Sequence, residues 1–416
     1  MVKFRPFRAV RPAVEYAAYV ASLPYDVMTS GEARAMAAGN AVSFLHIDRA
    51  EIDFPKGMDP YSPHVYVKAR ENFERFFAEG IFVQDEKPLF YIYRLTMDGR
   101  SQTGLVGCAS IDDYESGIIK KHELTRADKE EDRVAHVDAL DANTGPIFLT
   151  CRRNDVFSNL LSKQVQNSRL YDFVADDGVR HEVWALDEAD GEKVSRIFEA
   201  ISALYIADGH HRCASAARVG KLRRQQNPGW KGDEDFGFFL AVVFPEEQLA
   251  ILDYNRVALD LNNLTKEEFL AKLGGKFNVS AVTSAEYARP KARNTFGMYL
   301  DGIWYKLVVR PGLVDDPDPV AKLDVSILQN HVLAPILGIE DPRTDKRIEF
   351  IGGIRGLCEL ERRVDAGERV AFAMYPTSIE ELFGIADAGL IMPPKSTWFE
   401  PKLRSGLFIH KLEGKK

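Results

Sequence analysis

The spacing of apolar residues along the chain changes repeatedly between two residues and about 3.6 residues, the periods of strands and helices. This alternation predicts an α/β (α+β) protein in which mixed sheets are covered by helices. The strongest local pattern is a pair of alternating runs, 89–94 and 102–111, on either side of Asp98-Gly99. An Asp-Gly pair between two such runs is typical of a tight turn, so the sequence predicts a β-hairpin here.

Other elements follow from the same two periods and from the breaks that Gly and Pro make in them. Further strands are predicted near 147–149, 181–186, 204–207, 236–244, 297–300, 303–309, 348–351 and 369–375. Helices are predicted near 32–38, 65–79, 191–200, 210–219, 323–333 and 355–364. Three regions result, 1–145, 146–245 and 246–416, which is a usual domain count for 416 residues.

Composition and charge exclude some classes of binding partner and some cellular locations. The formal net charge is −8, and no zinc-finger spacing or basic recognition helix is found, so a nucleic-acid partner is not expected. No apolar run is long enough to span a bilayer, and the basic N-terminus lacks the apolar segment of a secretory signal. The four cysteines have no paired spacing and read as reduced thiols. A cytoplasmic protein is predicted.

The segment Asp208-Gly209-His210-His211-Arg212, called the box below, has the most informative chemistry in the chain. A short buried strand is predicted to end at Ala207, the chain to turn at Asp208-Gly209, and a helix to begin at His210. The first N–H groups of a helix and its dipole favour an anion, and an arginine adds a bidentate fork. The sequence therefore predicts a phosphate site, the alternative being a tight turn with two ordinary histidines.

Cys213 follows the box directly, in the first turn of the predicted helix. A helix N-terminus lowers the pKa of a thiol, so a reactive role is one reading and core packing is the other.

A second group of chemical residues consists of His122, Glu123 and His136. Thr125-x-x-Asp128 resembles a capping box, which predicts a helix that carries His136 and begins just after the His122-Glu123 loop. A carboxylate beside an imidazole can act as general base, and Mg²⁺ prefers carboxylate oxygens. We expect His122, Glu123 and His136 to converge on the same cleft as the box. A transition-metal site and a solvated surface cluster are the two alternatives.

The third group lies in the loop Met392–Thr397, which ends in Lys395, Ser396 and Thr397. A phosphate-binding P-loop needs glycine before its lysine, whereas Pro394 has no N–H to offer, so a P-loop is excluded. The two prolines stiffen the loop. We expect Lys395, Ser396 and Thr397 to face a substrate or a phosphate, and Lys395 to face the box from another part of the chain.

The box resembles the phosphate-binding segment of the ParB/sulfiredoxin-like fold, in which free-serine kinases carry almost the same string. Over its full length, the chain resembles a large bacterial and archaeal family that is catalogued only as a domain of unknown function. Six stretches carry this second resemblance: Ser22–Val27, Ser43–Ile47, Lys121–Glu123 with His136, Gly145–Phe148, the box, and Met392–Thr397.

The local resemblance implies a ParB/sulfiredoxin-like element around the box and a nucleotide-dependent phosphotransferase that acts on a small hydroxyl metabolite such as free serine. Gly209, His210, His211 and Arg212 would hold the phosphates of ATP or ADP. The predicted catalytic residues are Glu123, His122, His136 and Asp208, and Glu123 and Asp208 would bind Mg²⁺. One alternative is a phosphatase that uses the same site in reverse, and another is a protein that binds a nucleotide or phosphometabolite without catalysis and serves as a sensor.

Overall fold

The computed structural model describes residues 1–314 and 317–413, and its backbone separates into two compact units. The first unit comprises Met1–Lys121, Thr125–Leu249 and Pro401–Lys416. The second comprises His122–Leu124 and Ala250–Glu400. The regions predicted as 1–145 and 146–245 therefore lie almost entirely within one unit, and the last residues of the predicted region 246–416 return to it.

The first unit mixes short strands with helices of very different length. Its strands are β1 (Phe4–Arg5), β2 (Val10–Pro12), β3 (Phe82–Gln84), β4 (Tyr91–Met97), β5 (Arg100–Ser110), β6 (Ile119–Lys120), β7 (Ala142–Asn143), β8 (Ile147–Cys151), β9 (Tyr171–Val174), β10 (Arg180–Ala185), β11 (Leu204–Asp208) and β12 (Phe238–Pro245). Its helices are α1 (Ala17–Val20), α2 (Ser30–Met36), α3 (Leu45–Asp48), α4 (Pro63–Ala78), α5 (Ile111–Glu115), α6 (Ala127–Leu140), α7 (Asp155–Gln164), α8 (Glu188–Ala200) and α9 (His210–Gln226).

A nine-stranded mixed sheet forms the centre of this unit, with strand order β6-β11-β8-β12-β5-β4-β10-β9 and β1 paired to β5. The predicted hairpin is confirmed as β4 and β5, joined by Asp98 and Gly99, both with positive φ. Strand β11 runs parallel to β6 and antiparallel to β8, and its register with β8 shifts between Ile206 and Asp208. The box therefore follows a strand that the sheet holds on both sides.

The second unit is built on a six-stranded sheet with order β15-β17-β16-β19-β14-β18. The strands of this unit are β13 (Ala250–Leu252), β14 (Tyr254–Ala258), β15 (Phe277–Val282), β16 (Thr295–Leu300), β17 (Ile303–Val309), β18 (Ile348–Gly352), β19 (Val370–Ala373) and β20 (Trp398–Glu400). Its helices are α10 (Lys266–Gly274), α11 (Ala285–Ala288), α12 (Asp324–Leu328), α13 (Leu357–Asp365) and α14 (Ile379–Asp387). The last strand of the chain, β21 (His410–Lys411), pairs with β7 of the first unit.

These elements confirm the predicted α/β class, with mixed sheets and helices in both units. The helix predicted over 323–333 is confirmed, although it is an α-helix only to Leu328 and continues as a π-helix, Gln329–Leu333. One local prediction is wrong. Thr125 is not the N-cap of α6: the N-cap is Arg126, and the Thr125 hydroxyl donates instead to Glu130, 2.8 Å away.

A helix with the length and hydrophobicity needed to cross a membrane is absent from the described part of the chain.

Candidate functional site

The box forms the predicted strand, turn and helix. Strand β11 ends at Asp208, Gly209 is the N-cap of α9 with φ 97°, and the 17-residue helix starts at His210. A Cβ at Gly209 would adopt a disfavoured left-handed backbone and would lie 3.0 Å from Nε of Arg212. Glycine is therefore required here both for its backbone and for the arginine that folds back over it.

The side chain of Arg212 lies between two glycines. Its Nη1 donates to the carbonyl of Pro146 at 2.6 Å, and a Cβ at Gly145 would lie 3.5 Å from the same nitrogen. Its Nε is buried and has no hydrogen-bond partner among residues 1–314 and 317–413. One end of the guanidinium is thus anchored to the chain, while its buried Nε makes no hydrogen bond within the described residues.

Asp208 forms an ion pair that no sequence pattern indicated. The ammonium of Lys402, 194 residues away, lies 2.9 Å from one carboxylate oxygen, and Nη2 of Arg212 lies 4.0 Å from the other. Burial by itself would raise the pKa of Asp208, but Lys402 and Arg212 outweigh it and hold the pKa well below its usual value. Asp208 is therefore ionised at neutral pH, and it fixes the position of two cations.

The two histidines of the box have different surroundings. His210 is buried, whereas His211 is half-buried and its Nε2 accepts a hydrogen bond from the backbone N–H of Arg126 at 3.0 Å. A neutral His211 consequently carries its ring proton on Nδ1. Cys213 is fully buried, and burial raises the pKa of its thiol well above the usual value, so the reading as a reactive cysteine is wrong.

His136 lies in α6, buried on the face turned away from solvent. Its Nε2 donates to the carbonyl of Ile47 at 3.1 Å and lies 3.7 Å from a carboxylate oxygen of Asp48. Burial lowers the pKa of His136, and the neighbouring Arg133 lowers it further. A neutral imidazole with its proton on Nε2 follows, held by a backbone carbonyl.

Arg133 lies beside His136 and contacts two carboxylates, those of Asp132 and Asp48. Its Nε donates to Asp132 at 2.9 Å, and its guanidinium lies 3.9 Å above the ring of Tyr25. Tyr66 also donates to Asp132, at 2.9 Å. Burial would raise the pKa of Asp132, but Arg133 reverses this and the pKa is lowered. The cluster is a buried, hydrogen-bonded set of opposite charges.

Two adjoining cavities of the first unit contact this cluster. Tyr25, Asp48, Arg133 and His136 line both of them. Arg212 lines the second cavity, which therefore connects the charged cluster with the box.

Several stretches that carry the family resemblance meet at these cavities. Tyr25 belongs to Ser22–Val27, Ile47 to Ser43–Ile47, and Gly145 to Gly145–Phe148. Asp48, Arg133 and Thr144 also line them, and sequence reasoning did not select these three as functional. The stretches that carry the family resemblance were the only signal in the sequence that pointed to this site. They are distant in sequence, and only the fold brings them together.

In the second unit, the His122 loop packs on the Met392–Thr397 loop. The carbonyl of His122 accepts from the N–H of Met392 at 2.8 Å, and its Nε2 lies 3.4 Å from the Thr397 hydroxyl. Ser396 is buried, and its hydroxyl donates to Pro393 at 2.6 Å, within the loop itself. Two groups that were selected separately from the sequence are therefore neighbours.

Lys395 is exposed and has a left-handed backbone, with φ 58°. Its carbonyl accepts from the buried Arg256 at 3.0 Å. Burial lowers the pKa of Arg256 to about 10, so this arginine is charged at neutral pH and supports the loop from beneath. Because His122, Glu123 and the Lys395 loop belong to the second unit, their predicted convergence on the box stays a prediction.

Comparison with known proteins identifies a family. The family described as "Protein of unknown function (DUF1015)" matches residues 4–326. No match is found among curated proteins.

Among solved structures, the chain is similar to a free serine kinase mutant in complex with AMP, with a TM-score of 0.37 and 12% identity over 71% of this chain and 90% of the other. It is also similar to a conserved hypothetical protein from Pyrococcus furiosus, with a TM-score of 0.36, 13% identity and coverage of 72% and 93%. A third similar structure is SbnI with a C-terminal truncation from Staphylococcus aureus, with a TM-score of 0.37, 14% identity and coverage of 72% and 85%.

Proposed function

The chain belongs to this family of unknown function, and we propose that it is a nucleotide-dependent phosphotransferase that uses the box to hold phosphate. The observation that carries the proposal is the start of α9: its N-cap is Gly209, which has no side chain, and over the same turn lies Nε of Arg212, which has no hydrogen-bond partner in the described part of the chain. The acceptor would be a small hydroxyl metabolite. Free serine is the first to test, because the box resembles that of free-serine kinases.

The charges at the box suit a phosphate. Lys402 and Arg212 together outnumber Asp208 by one positive charge, and the N-terminus of α9 adds its partial positive charge. Phosphoryl transfer depends mostly on positioning and on neutralising charge on the phosphate oxygens. Asp208, being ionised and paired, would position these cations and would be a poor proton acceptor.

The reaction requires that an acceptor hydroxyl oxygen attack the terminal phosphorus. A new oxygen–phosphorus bond forms, the bond to the bridging oxygen of the nucleotide breaks, and that oxygen keeps the electron pair. The residues around Asp208 do not fit a Mg²⁺ site, because Lys402 and Arg212 flank its carboxylate and oppose a further cation. The predicted Glu123 ligand and a Mg²⁺ requirement stay predictions from the sequence.

The test combines binding and turnover. Titration calorimetry with ATP, ADP and CTP would measure affinity, and phosphorus NMR with free serine and a panel of hydroxy acids would detect transfer. Arg212→Ala should weaken nucleotide binding by about 2–4 kcal/mol, because it removes charge-assisted hydrogen bonds. Arg218→Ala, which removes an exposed arginine of the same helix, is the matched control and should bind normally.

Equal nucleotide affinity in the Arg212→Ala and Arg218→Ala variants would contradict the phosphate assignment. Tight binding without transfer to any acceptor would contradict the phosphotransferase proposal and favour the sensor alternative.

A further inference from the structure

Among the described residues, Asp48 is the one carboxylate that lines both of the adjoining cavities beside Arg133. It ends α3 and is only 5% exposed. A carboxylate buried to this extent normally accepts several short hydrogen bonds, because the lost hydration must be replaced. The contacts of Asp48 therefore show whether it is structural or is kept for a ligand.

The contacts of Asp48 are few and long. Arg133 Nη1 and the Thr144 hydroxyl each lie 3.4 Å from its Oδ1, and His136 Nε2 lies 3.7 Å away. Across residues 1–314 and 317–413, no side chain donates to Oδ2. By contrast, Asp132 on the same arginine accepts two hydrogen bonds of 2.9 Å. Asp132 is held by two short hydrogen bonds, one on each oxygen, whereas both hydrogen bonds of Asp48 are long and fall on Oδ1.

The surroundings of Asp48 match the requirements of a proton acceptor. His136 donates to a backbone carbonyl and has a lowered pKa, so it does not take this role through Nε2. Asp208 is held by Lys402 at 2.9 Å, whereas the nearest nitrogen of Arg133 lies 3.4 Å from Asp48. Asp48 and Arg212 line the same cavity, so the carboxylate with few contacts lies near the proposed phosphate site.

We propose that Asp48 is the catalytic residue that binds the acceptor hydroxyl in this cavity and accepts its proton. This inference rests on the proposed function. As the hydroxyl oxygen bonds to the terminal phosphorus, its proton passes to Oδ2 of Asp48, and the nucleotide leaves with the electrons of the broken phosphorus–oxygen bond. Arg133 and Thr144 both contact Oδ1 and so fix the orientation of the carboxylate, which leaves Oδ2 for the acceptor hydroxyl.

The test compares Asp48→Asn with Asp113→Asn. Asp113 is a buried aspartate of α5 in the same unit, 4% exposed, and it lines neither cavity. With ATP and the acceptor that wild type phosphorylates, Asp48→Asn should lower kcat by roughly 100- to 10,000-fold, the usual effect of a general base. The Kd of ATP should change by less than about twofold, because the carboxylate contacts the acceptor and not the nucleotide.

Three outcomes would overturn the proposal. If Asp48→Asn keeps a kcat similar to that of Asp113→Asn, Asp48 is not the proton acceptor, and the phosphotransferase proposal still stands. If Asp48→Asn loses ATP affinity and melting temperature together with kcat, the residue is structural. If wild type transfers phosphate to no acceptor, the proposed function fails and this inference fails with it.

Discussion

Asp208 in the first unit and Asp324 in the second are both partly or fully buried, yet their pKa values are shifted in opposite directions. Burial acts on both carboxylates in the same sense and favours the protonated form. In the first unit, Lys402 reverses the effect, and the pKa of Asp208 is well below its usual value. In the second unit, burial raises the pKa of Asp324 to about 7. Whether these carboxylates are ionised depends more on a cation within hydrogen-bond distance than on the depth of burial.

The contacts of Asp324 explain its opposite behaviour. Its Oδ1 accepts from the N–H of Asn294 at 2.9 Å, whereas Oδ2 is buried and has no partner in the described part of the chain. Arg293, which lowers the pKa of Asp324, forms a salt bridge of 2.8 Å with Glu381, and Glu381 itself raises the pKa of Asp324. Burial without a paired cation destabilises the ionised form of Asp324. In the first unit, the ionised form of Asp208 is paired with Lys402 and Arg212.

The largest expected effect comes from removing the cation of Asp208. Lys402→Met should lower the free energy of unfolding at pH 7 by about 3 kcal/mol, because it leaves a largely buried carboxylate without its closest cation. The pKa of Asp208 should rise. The lowered pKa stabilises the fold fully above the unfolded-state pKa, and this stabilisation is lost as the pH falls through the folded-state pKa, so the loss in Lys402→Met should shrink as the pH falls toward 3. Urea unfolding over this pH range measures it.

The double variant Asp208→Asn with Lys402→Met is the control, and it should recover part of the lost stability. An unchanged stability in Lys402→Met would show that the ion pair has no net effect and would remove the contrast with Asp324.

A smaller effect of opposite sign is expected at Asp324. Its raised pKa means that wild type loses stability as the pH rises from about 4 through about 7. Asp324→Asn cannot ionise, so it should be more stable than wild type by roughly 2 kcal/mol at pH 7 and nearly equal to it at pH 4. Denaturant unfolding at both pH values measures the difference. The exposed Asp260→Asn serves as control, and a pH-independent difference for Asp324→Asn would contradict the assignment.

The smallest effect is expected where a pair forms without burial. Arg126 and Asp128 are 2.9 Å apart, with side chains 56% and 49% exposed, and Arg126 helps to lower the pKa of Asp128. Asp128→Asn should change the free energy of unfolding by less than about 0.5 kcal/mol, because solvent and salt screen an exposed pair. A change as large as that of Lys402→Met would mean that burial does not set the strength of these pairs.

Local chemistry explains which parts of the fold were predictable. The Asp98-Gly99 hairpin and the strand, turn and helix at the box were predicted, because turn residues and apolar periods act over a few neighbours. The capping box at Thr125 was wrong because Glu130 offers its hydroxyl a competing partner. The π-helix after Leu328 was missed, since its apolar spacing differs little from that of an α-helix.

The sequence by itself determined the α/β class, the family and the residue types of the box, which follow from periodicity and from short motifs. Only the tertiary structure decided that Asp208 is paired with Lys402, that Arg212 lies between Gly145 and Gly209, and that Asp48 faces a cavity shared with Arg212. Apart from that of Arg212 with Gly209, these contacts join residues that are tens to hundreds of positions apart. Their energies depend on burial and on distance, and neither quantity is encoded in the neighbouring sequence.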